Sequence, residues 1–219
     1  VLELKNRVGL FRQLTVPLDQ VMEAVGTAEH QAIARDVTAR SLVLVRDSGS
    51  VVASLRSGPQ PVSLLVYADD PANTLGSTLA GVLRAGGYTV TMFRLWPSSG
   101  PASIDSARAA LAASPMAVVA ASIRVSAWSG TISMPPHVAE LINATARAKP
   151  TVLVSFGSPY LLSQAAAVQG YLLAWAARPM NELAVGAALT GRGDISGRLP
   201  IPLNDSLPIG TGLVVGASR

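Results

Sequence analysis

The sequence predicts a three-layer α/β sandwich built on a mostly parallel sheet of about five or six strands. Three observations carry that expectation. Near-continuous apolar runs, such as Ser63 to Tyr67, Met116 to Ile123 and Thr151 to Phe156, fit strands buried on both faces. Between them lie segments with apolar residues at helical spacing. The two kinds of segment alternate along the chain, which is the order expected of parallel strands joined by crossover helices.

The opening residues read as a helical connector, with Val1, Leu4, Val8 and Phe11 near one face and Gly9 as an interruption. Pro17-Leu18-Asp19 marks a turn. Gly26-Thr27 supplies a stop and an N-cap, and Glu29 sits in the first turn, where the helix dipole favours it. Ile33 and Val37 are one turn apart, so a helix over roughly 28–41 with one buried face is expected. Leu42-Val43-Leu44-Val45 is a short buried strand, Asp47 to Ser50 a turn, and Ser57 to Pro61 a second break.

From Ser63 the alternation is regular. The strand ending at Tyr67 leads to Asn73, a candidate cap for a helix with Leu75, Leu79, Val82 and Leu83 inward, which Gly86-Gly87 ends. Tyr88 to Leu95 is a strand, Pro97 to Pro101 a loop, and Ser103 a candidate cap for a helix to about Ala113. The strand Met116 to Ile123 is followed by a long loop. Pro136 then opens a helix burying Val138, Leu141, Ile142 and Ala146. After the strand Thr151 to Phe156 come a short strand, Tyr171 to Trp175, and a helix from about Pro179 to Thr190.

Composition narrows the function classes. In 219 residues, 49% are hydrophobic and only 14% charged, so much of the chain must lie inside a core or against a partner surface. The formal net charge is +4, but seven Lys/Arg meet six Asp/Glu within the first 60 residues and no basic run occurs. With aromatics at 5%, neither the charge stripe nor the stacking platform of a nucleic-acid binder is present. The absence of cysteine removes disulfides, thiolate metal sites and a Cys nucleophile. No apolar run approaches the ~18 residues that span a bilayer. The chain opens on Val1 without an initiator Met or a signal pattern, and reads as a piece of something longer.

Three loops at expected strand ends are where chemistry could sit. Asp69-Asp70-Pro71 pairs two carboxylates, which either share a proton or metal or form a capping turn. Arg124-Val125-Ser126-Ala127-Trp128-Ser129-Gly130-Thr131 suits a sugar: Trp128 offers a face for a pyranose, and Arg124 and Ser129 offer groups for its oxygens. Packing of Trp128 on a neighbouring domain is the alternative. Phe156-Gly157-Ser158-Pro159-Tyr160 bends the chain, with Gly157 permitting the bend and Pro159 favouring an extended residue before it. Ser158 stands outside a Gly-x-Ser-x-Gly elbow, so a shaping role is expected of it. The two histidines, His30 and His137, read as helix-terminal residues, and neither has a partner at metal-ligand spacing. A Ser158/His137/Asp194 triad can be written, as in any chain this long.

The order of several soft motifs carries a resemblance over most of the chain. These are Arg7 to Phe11, Glu29 to Arg35, Ser41 to Asp47, Val154 to Tyr160, Ser196-Gly197-Arg198-Leu199-Pro200, and Pro208 to Leu213. Together the chain resembles the carboxyl-terminal domain of family 3 glycoside hydrolases, most closely the β-N-acetylhexosaminidase branch. The resemblance implies an upstream (β/α)8 barrel holding the aspartate nucleophile, with residues 1–27 as connector and 28–219 as the sandwich domain, its extended tail starting near 191. In β-glucosidase-type members a Glu acid/base comes from this domain. The comparable segment here, Arg124 to Pro135, contains no Asp or Glu. That departure suits the hexosaminidase branch, where a His/Asp pair on a barrel loop moves the proton. The implied role is non-catalytic: packing on the barrel and walling its carbohydrate site with Arg124, Trp128, Ser129 and Ser158, without metal or cofactor, in a bacterial cytoplasm or cell envelope. The other classes of reading are a stand-alone carbohydrate-binding or protein-interaction module and a hydrolase built on Ser158.

Overall fold

In the computed structural model, residues 1–12, 15, 18–124 and 132–217 are described. Their strands are β1 (Val43–Asp47), β2 (Pro61–Ala68), β3 (Thr89–Leu95), β4 (Met116–Ser122), β5 (Thr151–Ser155) and β6 (Gly170–Leu173), forming one sheet in the order β1-β6-β5-β4-β2-β3. Every pairing is parallel except β1 with β6. The helices are α1 (Leu2–Arg7), α2 (Val21–Ala24), α3 (Ala28–Arg40), α4 (Val51–Arg56), α5 (Ser77–Ala85), α6 (Pro101–Ala112), α7 (Pro136–Ala148) and α8 (Pro179–Leu189). No described helix is long and apolar enough to cross a membrane.

The chain divides into two compact units, Val1–Val37 and Thr38–Arg219. In the first, the expected cap is present: Thr27 Oγ1 accepts the His30 N–H at 3.2 Å. The expected buried face of α3 is not. Ile33 and Val37 are 55% and 59% exposed and no residue of the helix is buried. Helical spacing gives a face its apolar character, but burial requires a second surface to cover it.

In the second unit the period of two along each strand sorts side chains between two cores. Leu64, Val66, Val118, Ala120, Val152, Val154 and Leu172 face α4, α5 and α8. Leu65, Tyr67, Val119, Ala121, Leu153 and Tyr171 face α6, α7 and the turn at Leu161–Ser163. These are the three layers that the alternating pattern predicts.

Three helix ends are satisfied by side chains far away in sequence. Asn73 does not cap α5. Its Oδ1 accepts the Leu75 N–H at 2.8 Å in a local turn, and the helix begins later, after Gly76. The cap comes from α8, where Glu182 Oε2 accepts the N–H groups of Gly76 and Leu79 at 2.9 Å each. At the carboxyl end of α8, the buried Arg56 donates to the carbonyls of Ala188, Gly193 (3.1 Å) and Gly216 (2.5 Å). Lys149 likewise donates to the Leu111 and Ser114 carbonyls that end α6. Each cation lies where unsatisfied carbonyls and the helix dipole favour it. Nor does Ser103 cap α6, which starts two residues earlier with Pro101, whose missing N–H costs nothing there.

The tail runs along the outer edge of β1. Gly197 donates to the Leu42 carbonyl at 3.0 Å and Leu213 to that of Leu44 at 2.8 Å, and Ile195 bridges Val215. That edge is therefore closed to other strands.

Two glycines give the packing of α5 on α8 a test with opposite signs. A Cβ on Gly186 of α8 would lie 2.5 Å from Val82 Cγ1, whereas Gly81 of α5 faces open space. Gly186→Ala should lower stability by about 1–3 kcal/mol despite the gain in helix propensity. Gly81→Ala should raise it by roughly 0.5–1 kcal/mol. Denaturant unfolding measures both, and equal signs would contradict this helix packing.

Candidate functional site

Because β2, β4, β5 and β6 are parallel, their carboxyl ends open on one edge, where α/β sheets place ligands. A cleft of about 640 Å³ lies there. One wall is Asp70, Ala72, Asn73 and Thr74, after β2; the other is Trp175 to Pro179, between β6 and α8; Arg124, Phe156 and Gly157 also line it.

The first wall is held by four sets of bonds. Asp70 Oδ1 accepts the Ala72 N–H at 2.9 Å, and the Asn73 turn follows it. Arg94 of β3 donates to the carbonyls of Asn73 and Leu75, the latter at 2.5 Å. Glu182 then takes the N–H groups of Gly76 and Leu79. Gly76 itself has φ +92°, and a Cβ there would strike Val66, so no larger residue fits this corner.

The paired carboxylates are a clamp on Arg124. Asp69 accepts its backbone N–H at 2.8 Å and its Nε at 3.3 Å, while Asp70 lies 3.4 Å from Nη2. The Arg124 side chain remains 59% exposed. Beneath them, burial and the Asp69 charge push the Tyr67 hydroxyl up to about 12. Among the described residues no cluster of His, Asp and Glu could hold a metal ion.

The remaining sequence candidates fall differently. Trp128 and Ser129 lie outside the described residues. Ser158 is 1% exposed and does not line the cleft. Its N–H donates to the Ile123 carbonyl, its carbonyl accepts the Ser155 hydroxyl at 2.6 Å, and its Oγ accepts the Tyr160 N–H at 3.4 Å. Gly157 is required for close approach, because a Cβ there would strike the Ile123 carbonyl. His137 lines a separate groove of about 550 Å³ between α6 and α7, with Asp105, Arg108 and Glu140. Asp194 lies on the opposite side of the sheet, where it accepts the Ala217 N–H and Ile195 joins the α4/α5/α8 core. The written triad therefore does not assemble.

Sequence reasoning missed the second wall. The strand expected to run to Trp175 stops at Leu173, and Trp175 turns into the left-handed region at φ +66°. Its indole N–H donates to the Ser41 carbonyl at 2.7 Å, which holds the turn. The signal was present at Arg178-Pro179: a proline opening a helix, preceded by an arginine where Ser, Thr, Asp or Asn is usual.

With this geometry established, solved structures provide the comparison. A glycoside hydrolase family 3 β-N-acetylglucosaminidase from Paenibacillus sp. str. FPU-7 matches with TM-score 0.70 and 21% identity, over 93% of this chain and 38% of that one. The β-glucoside phosphorylase BglX matches at 0.67 and 22%, over 89% and 35%. A β-glucosidase from Listeria innocua matches at 0.69 and 19%, over 92% and 31%. The fold is shared with part of these enzymes. The chain thus spans 31–38% of their length. Comparison with family models and with curated protein sequences gives no match.

Glu182 offers the sharpest test of the site's construction. It is 2% exposed, and burial raises its carboxyl above the ordinary range, opposed by the N–H donors and by Arg94. The Gly76 and Leu79 donors meet on Oε2, so a proton on Oε1 leaves those two bonds in place. Glu182→Ala should cost about 2–4 kcal/mol, because two buried N–H groups lose their acceptor. Glu182→Gln keeps a carbonyl oxygen that can accept from both and should cost less. Since the folded state holds the proton more tightly than the unfolded chain, the carboxyl's contribution is complete below the unfolded value and is lost as pH rises through the folded one. Stability of the wild type relative to Glu182→Gln should therefore fall as pH rises from the ordinary carboxylate range. A difference independent of pH would contradict this placement.

Proposed function

We propose that the chain is the carboxyl-terminal, non-catalytic domain of a family 3 glycoside hydrolase of the β-N-acetylhexosaminidase-like branch. Residues 1–27 connect it to a (β/α)8 barrel, and residues 28–219, with the tail from about 191, pack on that barrel. The cleft at the carboxyl edge walls the saccharide site there, with Arg124 as its described polar contact and Trp128 and Ser129 beside it in sequence.

The observation that carries this reading is the asymmetry of coverage: nearly the whole chain matches, but only about a third of each matched enzyme is used. The β-N-acetylglucosaminidase among them supports the branch. The first unit adds weight, because Leu2, Leu4, Val8, Phe11, Leu18, Val25, Ile33 and Val37 all stay exposed. A surface this apolar calls for a covering partner.

The chemistry agrees with a wall. Retaining hydrolysis requires two groups flanking the glycosidic bond, a nucleophile and a proton donor. Of the carboxylates around the cleft, Asp69 and Asp70 are committed to Arg124, and Glu182 lies buried behind the wall. An aspartate nucleophile and a proton donor would come from the barrel.

A protein comprising the barrel and these 219 residues should hydrolyse nitrophenyl β-N-acetylglucosaminide, whereas the 219-residue chain alone should show no turnover. Hydrolysis by the isolated chain would contradict a non-catalytic role. Saccharide binding by an isolated chain that no barrel precedes in its gene would favour a stand-alone module.

A further inference from the structure

Arg124 follows the interior strand β4 and lines the cleft with a side chain that is 59% exposed. Asp69, which grips it, does not line the cleft, and its side chain is only 23% exposed. One residue faces the cavity, and the other holds it from outside the lining. The ends of β2 and β4 are tied in both directions. Asp69 donates its backbone N–H to the Ser122 carbonyl at 3.1 Å, and its Oδ2 accepts the Arg124 backbone N–H at 2.8 Å. On the same carboxylate Oδ1 accepts from Arg124 Nε at 3.3 Å. Asp69 thus fixes the main chain and the side chain of Arg124 together.

Holding a long, exposed arginine in one geometry costs side-chain entropy, and an exposed ion pair returns little stability for it. What the clamp does supply is orientation. Asp70 lies 3.4 Å from Nη2, so the guanidinium plane is held at two of its three nitrogens. The remaining N–H donors of that plane then have set directions. Two carboxylates beside one guanidinium also offset its charge, so the cleft is offered a directed donor more than an attraction for anions. Such a donor suits an uncharged acceptor, a sugar hydroxyl or an acetamido carbonyl.

We infer that Asp69 is a positioning residue for saccharide binding: it acts through the guanidinium of Arg124, which donates to an uncharged sugar oxygen. Arg124 belongs to the wall and not to the reacting groups, so loss of its orientation falls on KM while kcat is retained. This inference rests on the proposal that the cleft walls a saccharide site, and it assigns the residue that sets the geometry of that site's polar contact.

The test uses the protein comprising the barrel and these 219 residues, with nitrophenyl β-N-acetylglucosaminide as substrate. In Asp69→Asn the amide oxygen can keep the 2.8 Å bond to the Arg124 backbone, which turns the NH2 group toward Nε and breaks the side-chain bond. KM should rise about three- to fivefold at unchanged kcat, the upper range of an exposed ion pair. Arg124→Ala should raise KM about tenfold, as for a lost hydrogen bond from a charged donor. Adding Asp69→Asn to Arg124→Ala should change nothing further. A KM rise from Asp69→Asn that persists in the Arg124→Ala background shows support of the main chain alone and overturns the inference. So does a wild-type KM in Asp69→Asn where Arg124→Ala raises it, or a fall in kcat at unchanged KM; each leaves the saccharide-facing cleft standing. No turnover by the unsubstituted protein, or a wild-type KM in Arg124→Ala, overturns both. Should Asp69→Asn not fold, Arg124→Lys carries the test, because lysine keeps the charge and lacks Nε. A KM raised as in Arg124→Ala then supports the positioning, and a wild-type KM overturns it.

Discussion

Glu182 Oε2 accepts the amides of Gly76 and Leu79 at 2.9 Å each, and the carboxyl edge of the sheet takes its shape from that pair of bonds. Glu182 lies in the first turn of α8, directly after the Trp175–Pro179 wall. Gly76 ends the loop that forms the facing wall. One buried side chain thus joins the two sides of the cleft through the start of α5. Arg94 reinforces the same loop from β3 by taking the Asn73 and Leu75 carbonyls, so donors and acceptors of one short turn are both satisfied from elsewhere in the chain.

The same device recurs at the other helix ends. Arg56 closes α8 and draws the tail in through Gly216, and Lys149 closes α6. Burial lowers the proton affinity of both cations, with Asp194 and then Tyr88 opposing that for Arg56. Only 14% of the residues are charged, and several of those serve backbone groups inside the fold. A domain constructed this way presents rigid walls with few free charges.

The layered fold was legible because it depends on periods of two and 3.6 that local sequence carries. The helix at Pro136 shows this well: Val138, Leu141, Ile142 and Ala146 are buried as their spacing requires. Asp69 and Asp70 were readable as a turn, but their hold on Arg124 spans 55 residues and follows only from strand order. Long separation also hid the cap of α5: Glu182 lies 106 residues from Gly76, while Asn73 looked like the natural cap at close range. The short helix Val51–Arg56 is not legible in the sequence, because six residues give too few turns to show a period. For Ile33 and Val37 the pattern was read correctly and the burial was not, because burial is a property of two surfaces. The apolar neighbours of Trp175 suggest a strand, whereas its positive φ depends on a bond to the distant Ser41.

The central claim is that the bonds from Glu182 to Gly76 and Leu79 hold the two walls of the cleft in their present shape. Amide hydrogen exchange at Gly76 and Leu79 tests it most directly, comparing the ligand-free wild type with Glu182→Ala under conditions where both are folded. The account predicts slow exchange at both amides in the wild type and exchange at least about tenfold faster in the variant, as each loses a buried acceptor. Equal rates in the two proteins would contradict it.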